Sequence, residues 1–262
     1  MLHPMPIVQY VNVFGSHTPW YGICVGIGLL AIGMWMLRSF RVLKMNGMQQ
    51  NEILIGFPFA MITGLVFAFA FDAIFTGDWR TWMSPGKRQF GFTFTGWLLG
   101  VAIFLAAYGG FTSVGRRFLL SFFAPSFAIA QGFGRIGCFL GGCCYGCNCN
   151  WGVQYPPGSL PYEHMGAVML FPVQMIEAVA LFLLFGICAK LPFGKRGGVY
   201  FVGVGILRFV LEFFRADARG SLFGLSVLSP QQMLSFLFAF MGIYFLLPKR
   251  KRYVQNVVLH NK

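Results

Sequence analysis

The sequence predicts an all-α, polytopic membrane protein, and three features of it carry that prediction. Only 10% of the 262 residues are charged while 57% are hydrophobic, 32 of them Phe. A soluble domain carries about 25% charged residues, so this chain cannot make a water-facing surface. Apolar stretches recur along its whole length, and the basic residues fall in short clusters between them. With lipid as the solvent, helices satisfy every backbone group within one segment.

Seven stretches approach the ~20 residues a span needs: 20–37, 53–75, 92–111, 118–142, 171–191, 197–214 and 230–247. Gly and Pro are frequent inside them, which a helical bundle in lipid tolerates better than an isolated soluble helix does. No fixed-period repeat, low-complexity tract or long linker divides the chain, so residues 1–262 read as a single integral membrane domain. Its basic tail, 248–262, suits a cytoplasmic anchor drawn to anionic headgroups. Residues 1–20 lack a basic region ahead of an apolar core, so the first span is expected to insert uncleaved.

Orientation follows from the loops. Arg38, Arg41 and Lys44 follow the first span, Arg116 and Arg117 the third, Lys195 and Arg196 the fifth, and Lys249, Arg250, Lys251 and Arg252 the seventh. With these loops in the cytoplasm, the N-terminus lies outside and the C-terminus inside. Arg80, Lys87, Arg88, Arg215 and Arg219 then fall outside, partly offset by Asp78 and Asp217. The net charge of +13 is thus a topology signal. No basic face with interleaved aromatics is present, so no nucleic-acid partner is expected.

Charge inside a span is costly and marks a pathway or a site. Asp72, Arg135, Glu177, Arg208 and Glu212 qualify, and the assigned topology puts all five in the outer half of the bundle. That predicts one polar cavity open to the external leaflet. Arg208 and Glu212 are four residues apart on one helix face, where they can pair. Arg135 has no acid within four residues, so two roles fit it: a fork of donors for a phosphate, or a structural partner of Glu177 or Asp72. The glycines near it, Gly132, Gly134, Gly137, Gly141, Gly142 and Gly146, suit either close helix packing or a headgroup cradle.

Cys138, Cys143, Cys144, Cys147 and Cys149 crowd the end of the fourth span, whereas Cys24 and Cys188 lie alone and read as small apolar filler. Only Cys144 and Cys147 have the CxxC spacing of a zinc site, so no metal and no cofactor are expected. One or two disulfides fit the oxidising external side better. A thiolate at Cys143 or Cys144 beside an arginine is a further chemical option. His3, His17, His164 and His260 all lie outside the spans, so a general base would be a carboxylate, a tyrosine or a histidine folded back from a loop.

Four motifs carry a family resemblance: GRIGCFLGGCCYG at 134–146, FPVQMIEA at 171–178, LRFVLEFFRADARG at 207–220 and SPQQMLS at 229–235. In this order they resemble the bacterial prolipoprotein diacylglyceryl transferases, membrane enzymes that move diacylglyceryl from phosphatidylglycerol to the lipobox cysteine of a prolipoprotein. The resemblance implies a transferase of the bacterial cytoplasmic (inner) membrane, with an anionic phospholipid as donor and a prolipoprotein as acceptor. It implies catalytic roles for Arg135, Arg208 and Glu212, and phospholipid contacts from Arg135, Gly137, Cys138, Gly146, Gln174, Glu177, Arg208 and Arg215, with Gln232 at a further polar position. The departures are patterned. Thr95 stands where the family's proposed histidine base would be, Cys138 and Cys143 replace the signature asparagine and glutamate, and Phe171 replaces a histidine. A threonine is no base near neutral pH. Thr95 and Cys143 therefore join the candidate catalytic set, and two other readings stay open: a paralogue with a different acceptor, and a lipid transporter that does no chemistry.

Overall fold

The computed structural model describes residues 10–13, 16–76, 93–216 and 229–247. The tail 248–262, His3, His260, Arg80, Lys87, Arg88, Arg219, Asp78 and Asp217 lie outside the described residues. A β-hairpin, β1 (Tyr10–Val13) with β2 (Ser16–Pro19), leads into the helices α1 (Trp20–Val42), α2 (Gly47–Thr76), α3 (Phe94–Tyr108) and α4 (Arg116–Leu140). Next come β3 (Asn148–Gln154), the short α5 (Leu160–Met165), β4 (Met169–Leu170), and the helices α6 (Val173–Lys190), α7 (Phe193–Glu212) and α8 (Pro230–Leu246). Among the described residues, seven helices of 15 residues or more coincide with the seven apolar stretches, their ends differing by up to six residues. Two small antiparallel pairs, β1 with β2 and β3 with β4, add to an expectation that contained no strand.

The protein is a mostly helical, multi-pass membrane protein. α1, the segment Gly47–Ile74 and α6 are each long and apolar enough to cross a bilayer, while α3 and α8 are shorter apolar helices. Large apolar side chains such as Leu30, Met34, Ile62, Leu183 and Phe240 point outward, as a lipid-facing surface requires.

The caps explain where the helices start. α2 opens on a reciprocal pair in which the Gln49 backbone N–H donates to Asn46 Oδ1 at 2.9 Å and the Asn46 N–H donates to Gln49 Oε1 at 3.3 Å. α8 opens on the same device: Gln232 N–H donates to Ser229 Oγ at 3.2 Å and Ser229 N–H donates to Gln232 Oε1 at 2.9 Å, with Pro230 just inside the helix. Pro125 sits inside α4 and Pro58 inside α2, each deleting one backbone donor that a packed helix can spare.

α4 is the hub, packing against α1, α3, α6 and α7. Phe122, Phe123, Phe127 and Ala128 on α4 form the middle of the core with Leu98, Leu105, Leu181, Tyr200, Phe201 and Phe238. α7 and α8 approach closely because small residues face each other. A Cβ on Gly205 would lie 2.6 Å from the Ser235 carbonyl oxygen, and one on Gly242 would lie 2.6 Å from that of Gly198. Gly205→Val is accordingly expected to cost about 1–3 kcal/mol through overpacking, read as a lower melting temperature in detergent micelles. A melting temperature equal to the parent's would mean that this contact yields.

The alternation of helices sorts the polar residues. Trp35 Nε1 donates to Phe122 O at 2.9 Å, Arg117 Nη2 to Tyr244 O at 3.3 Å, and Arg196 Nε to Leu191 O at 3.1 Å. These contacts collect the end of α1, the starts of α4 and α7 and the end of α8, with Arg38, Arg41, Arg116, Arg117, Lys195 and Arg196 among them. The buried charges occupy the other end.

Candidate functional site

At that other end the starts of α3, α6 and α8 meet the ends of α4 and α7. Glu177, one turn into α6 and 2% exposed, is the centre. Arg135 Nε lies 2.9 Å from Glu177 Oε2, and Arg208 Nη1 donates to Glu177 Oε1 at 3.0 Å and to Oε2 at 3.2 Å. Arg135 and Arg208 are themselves buried, at 7% and 5% exposure. A buried carboxylate between two guanidiniums is the arrangement that desolvation demands of charges held inside a membrane protein.

Thr95 belongs to this network. Its hydroxyl accepts from Arg208 Nη2 at 3.4 Å and donates to Gln231 Oε1 of α8. Glu212, one turn beyond Arg208, accepts from Ser229 Oγ at 3.0 Å and lies 4.0 Å from Arg215 Nε. The Arg208–Glu212 pair that their spacing permits gives way to a contact between helices. Arg208 turns across to α6, where one carboxylate serves two arginines, and Glu212 serves the α8 cap and Arg215 instead. Asp72 sits at the same end and accepts from Thr93 Oγ1 at 3.4 Å. Of the two structural partners weighed for Arg135, Glu177 is the one in contact.

Arg215 is also within electrostatic range of Glu177. Three guanidiniums, Arg135, Arg208 and Arg215, thus share the region with two carboxylates, Glu177 and Glu212. The guanidinium forks suit an anion with several oxygen acceptors.

The segment after α4 folds over this end. Gly146 bridges to Arg215 as a single antiparallel pair, Cys147 N–H donates to Phe214 O at 2.9 Å, and Phe171 N–H donates to Cys147 O at 2.9 Å. Gly146 is glycine for a steric reason, since a Cβ there would collide with the Phe171 carbonyl oxygen. Gly137 packs against α1, where a Cβ would lie 3.1 Å from Cys24 Cβ. Both glycines therefore occupy packing contacts. Tyr145, Tyr155 and Leu170 form a small second core beneath the β3–β4 pair. Burial pushes the Tyr155 phenol up to about 12, so it stays protonated. His164 lies in α5, its Nδ1 2.8 Å from Tyr145 OH, and His17 lies in β2.

Gln174, 1% exposed, ties this covering segment to α6: its Nε2 donates to the Cys143 carbonyl at 2.8 Å and to Tyr155 OH at 3.1 Å. Gln232, which the resemblance placed among the site's polar residues, caps α8. Ser229→Ala removes that cap and the Glu212 contact together, and is expected to cost about 1 kcal/mol, measured as a shift in detergent melting temperature.

All seven cysteines are free thiols, which corrects the expected disulfides. The Sγ atoms of Cys138, Cys143 and Cys144 lie within 4.8 Å of one another. Cys147, the CxxC partner of Cys144, is not in this group, because its backbone is drawn away to pair with Phe214 and Phe171. Cys138 sits one turn beyond Arg135, with Arg135 Nη1 4.0 Å from its Sγ. Hydrogen bonding with Cys138 and then Cys143 draws the Cys144 thiol well below its usual range, whereas hydrogen bonding with Cys138 and Cys144 pushes Cys143 up. Sequence reasoning did not single out Gln231 or Ser229 as site-lining residues. The S-x-x-Q spacing of Ser229 to Gln232 was the available signal, as a helix start adjoining the site.

A helical membrane protein with a buried, anion-poised cluster at one end of its bundle is what fold and site define. The prolipoprotein diacylglyceryl transferase family model matches residues 9–248, and the chain belongs to that family. It is 29% identical over 244 residues to the phosphatidylglycerol–prolipoprotein diacylglyceryl transferase 2 of Clostridium perfringens, covering 88% of this chain and 91% of that one. It is 33% identical over 159 residues to the Clostridium tetani transferase, covering 59% of this chain and 62% of that one. To the Pseudomonas savastanoi pv. phaseolicola transferase it is 29% identical over 264 residues, covering 94% of each.

Proposed function

We propose that this chain transfers the diacylglyceryl group of phosphatidylglycerol to the lipobox cysteine thiol of a prolipoprotein, in the bacterial cytoplasmic membrane. The single observation carrying the reading is the buried Arg135–Glu177–Arg208 relay, set inside a chain that matches the family along most of its length. The thiol sulfur attacks the glycerol carbon bonded to the phosphate oxygen. The thiol gives up its proton to water as the carbon–sulfur bond forms, the carbon–oxygen bond breaks, and glycerol phosphate departs with the electron pair.

Arg135 and Arg208 bind the phosphodiester and stabilise the charge that grows on the departing oxygen. Glu177 holds both guanidiniums in place, and Thr95, with Gln231 behind it, sets the plane of Arg208. Glu212 and Arg215 fix the end of α7 against the start of α8. Gln174 holds the covering segment at Cys143, and Gly137 and Gly146 let that segment and α1 approach.

The seven long helices span the membrane, with the N-terminus outside and the C-terminus in the cytoplasm. The gathering of the basic residues at the end opposite the site supports this orientation, which gives the site to the external leaflet where lipoprotein precursors emerge. Residues 1–262 act as one domain.

The test uses purified protein in phosphatidylglycerol-containing micelles with labelled donor and a lipobox peptide. The expected product is a peptide heavier by one diacylglyceryl group, together with released glycerol phosphate. Lipid returned unchanged and peptide unmodified, under conditions where a relative is active, would overturn the reading.

A further inference from the structure

The cysteines that replace the family's polar signature form a group of their own. Cys138 projects from the last turn of α4, and Cys143 and Cys144 from the turn that follows, so the spacing Cys-x4-Cys-Cys folds three sulfurs to within 4.8 Å of one another. A thiophilic ion bonded to thiolates at about 2.3 Å places its sulfurs about 3.8 Å apart, so closing on one ion asks for a contraction of at most about an ångström. Two features hold the turn in this form. Cys144 adopts a left-handed backbone, φ 61°, unusual for a residue with a Cβ. The Cys143 carbonyl is held by Gln174 Nε2, on a side chain whose Oε1 is buried without a hydrogen-bond partner.

We infer that Cys138, Cys143 and Cys144 form a three-thiolate site for a thiophilic d10 cation, Zn2+ above all, whose fourth position takes the acceptor thiol. Three thiolates on a divalent ion carry a net negative charge, and the Arg135 guanidinium 4.0 Å from Cys138 Sγ offsets it. Three protein ligands with one open position are the pattern of a catalytic rather than a structural zinc. Zn2+ has no redox chemistry, so the step it supports is acid–base: a thiol that coordinates it gives up its proton to water and stays nucleophilic. The second half of the inference rests on the transferase reading, and there it answers a chemical need. Both oxygens of Glu177 are occupied by arginines and Thr95 is no base, while Glu212 accepts from Ser229 through Oε1 and its buried Oε2 lies 4.0 Å from Arg215 Nε. The arrangement puts the metal-bound thiolate beside Arg135, the group that holds the phosphate to be displaced.

The site is tested by metal analysis of the full chain, purified in detergent under reducing conditions without a metal-affinity step. About one equivalent of zinc per chain is expected. Cys138→Ser, Cys143→Ser and Cys144→Ser should each lose most of it, while Cys147→Ser and Cys149→Ser keep it. Replacement by Co2+ should give a thiolate-to-cobalt charge-transfer band. That band should intensify and shift with a lipobox peptide containing cysteine, and stay unchanged with the same peptide containing serine.

Protein that binds neither Zn2+ nor Co2+, or triple-serine protein that binds them as well as the parent, overturns the site. Binding of Cu+ in preference to Zn2+ overturns the choice of ion, and a cobalt spectrum indifferent to the thiol peptide overturns the fourth-position role. These readouts do not depend on turnover. Transfer by metal-free protein would sink the inference and leave the transferase reading intact, whereas stoichiometric zinc without transfer would do the reverse.

Discussion

Glu177→Gln is expected to destabilise the protein by about 3–5 kcal/mol, because it strands two buried guanidiniums in a region of low dielectric. The carboxylate is 2% exposed and both its oxygens are engaged, by Arg135 Nε at 2.9 Å and by Arg208 Nη1 at 3.0 Å. Removing either arginine leaves Glu177 with the other, so Arg135→Ala and Arg208→Ala should each cost less than Glu177→Gln. This ordering is measured by thermal melting in neutral detergent. Adding phosphatidylglycerol should restore part of the loss in Glu177→Gln, because a phosphodiester supplies the missing negative charge. If Glu177→Gln melts with the parent, the relay contributes nothing to the fold.

The second large effect is on turnover. Arg208→Ala should lower the transfer rate about 10²–10³-fold, the usual loss when one preorganised donor to a developing oxyanion is removed. Arg208→Lys keeps the charge but loses the planar fork that meets Glu177 and Thr95 together, so it should recover little of the rate. The loss should appear in kcat more than in KM, since the charge on the departing oxygen grows only toward the transition state. A variant that transfers at the parent's rate would remove Arg208 from the chemistry, and one that changed KM alone would limit it to lipid binding.

Parts of the site were legible before the fold was known, for an energetic reason. A charge inside an apolar stretch is expensive enough that it survives only where something offsets it. Arg135, Glu177 and Arg208 stand out in the sequence on that ground alone, and the structure brings the three together. Their partners were not legible. A helix-face rule favours Arg208 with Glu212, at four residues, whereas the contact formed is with Glu177, 31 residues away on another helix. Local spacing cannot weigh one carboxylate shared by two arginines, because that sharing exists only once α4, α6 and α7 pack. Thr95 shows the same limit. As a residue it is an unremarkable hydroxyl in an apolar helix, and its place beside Arg208 and Gln231 comes from α3 and α8 meeting at the same end.

The cysteines show a limit of another kind. Sequence spacing pairs Cys144 with Cys147 as CxxC, while the fold groups Cys144 with Cys143 and Cys138. The end of α4 turns Cys138 toward the two that follow, and the pairing of Cys147 with Phe214 and Phe171 pulls that residue out of the group. Disulfides were the natural expectation for crowded external cysteines, yet all seven are free thiols.

The sequence by itself determined the solvent and the helices: apolar stretches of spanning length demand lipid, and lipid demands that each segment satisfy its own backbone. It also determined the family, through motifs in order, and it marked the costly charges. Only the tertiary structure decided which charge meets which and which sulfurs converge. Those contacts join residues on different helices, and their energies depend on burial and orientation that no single segment possesses.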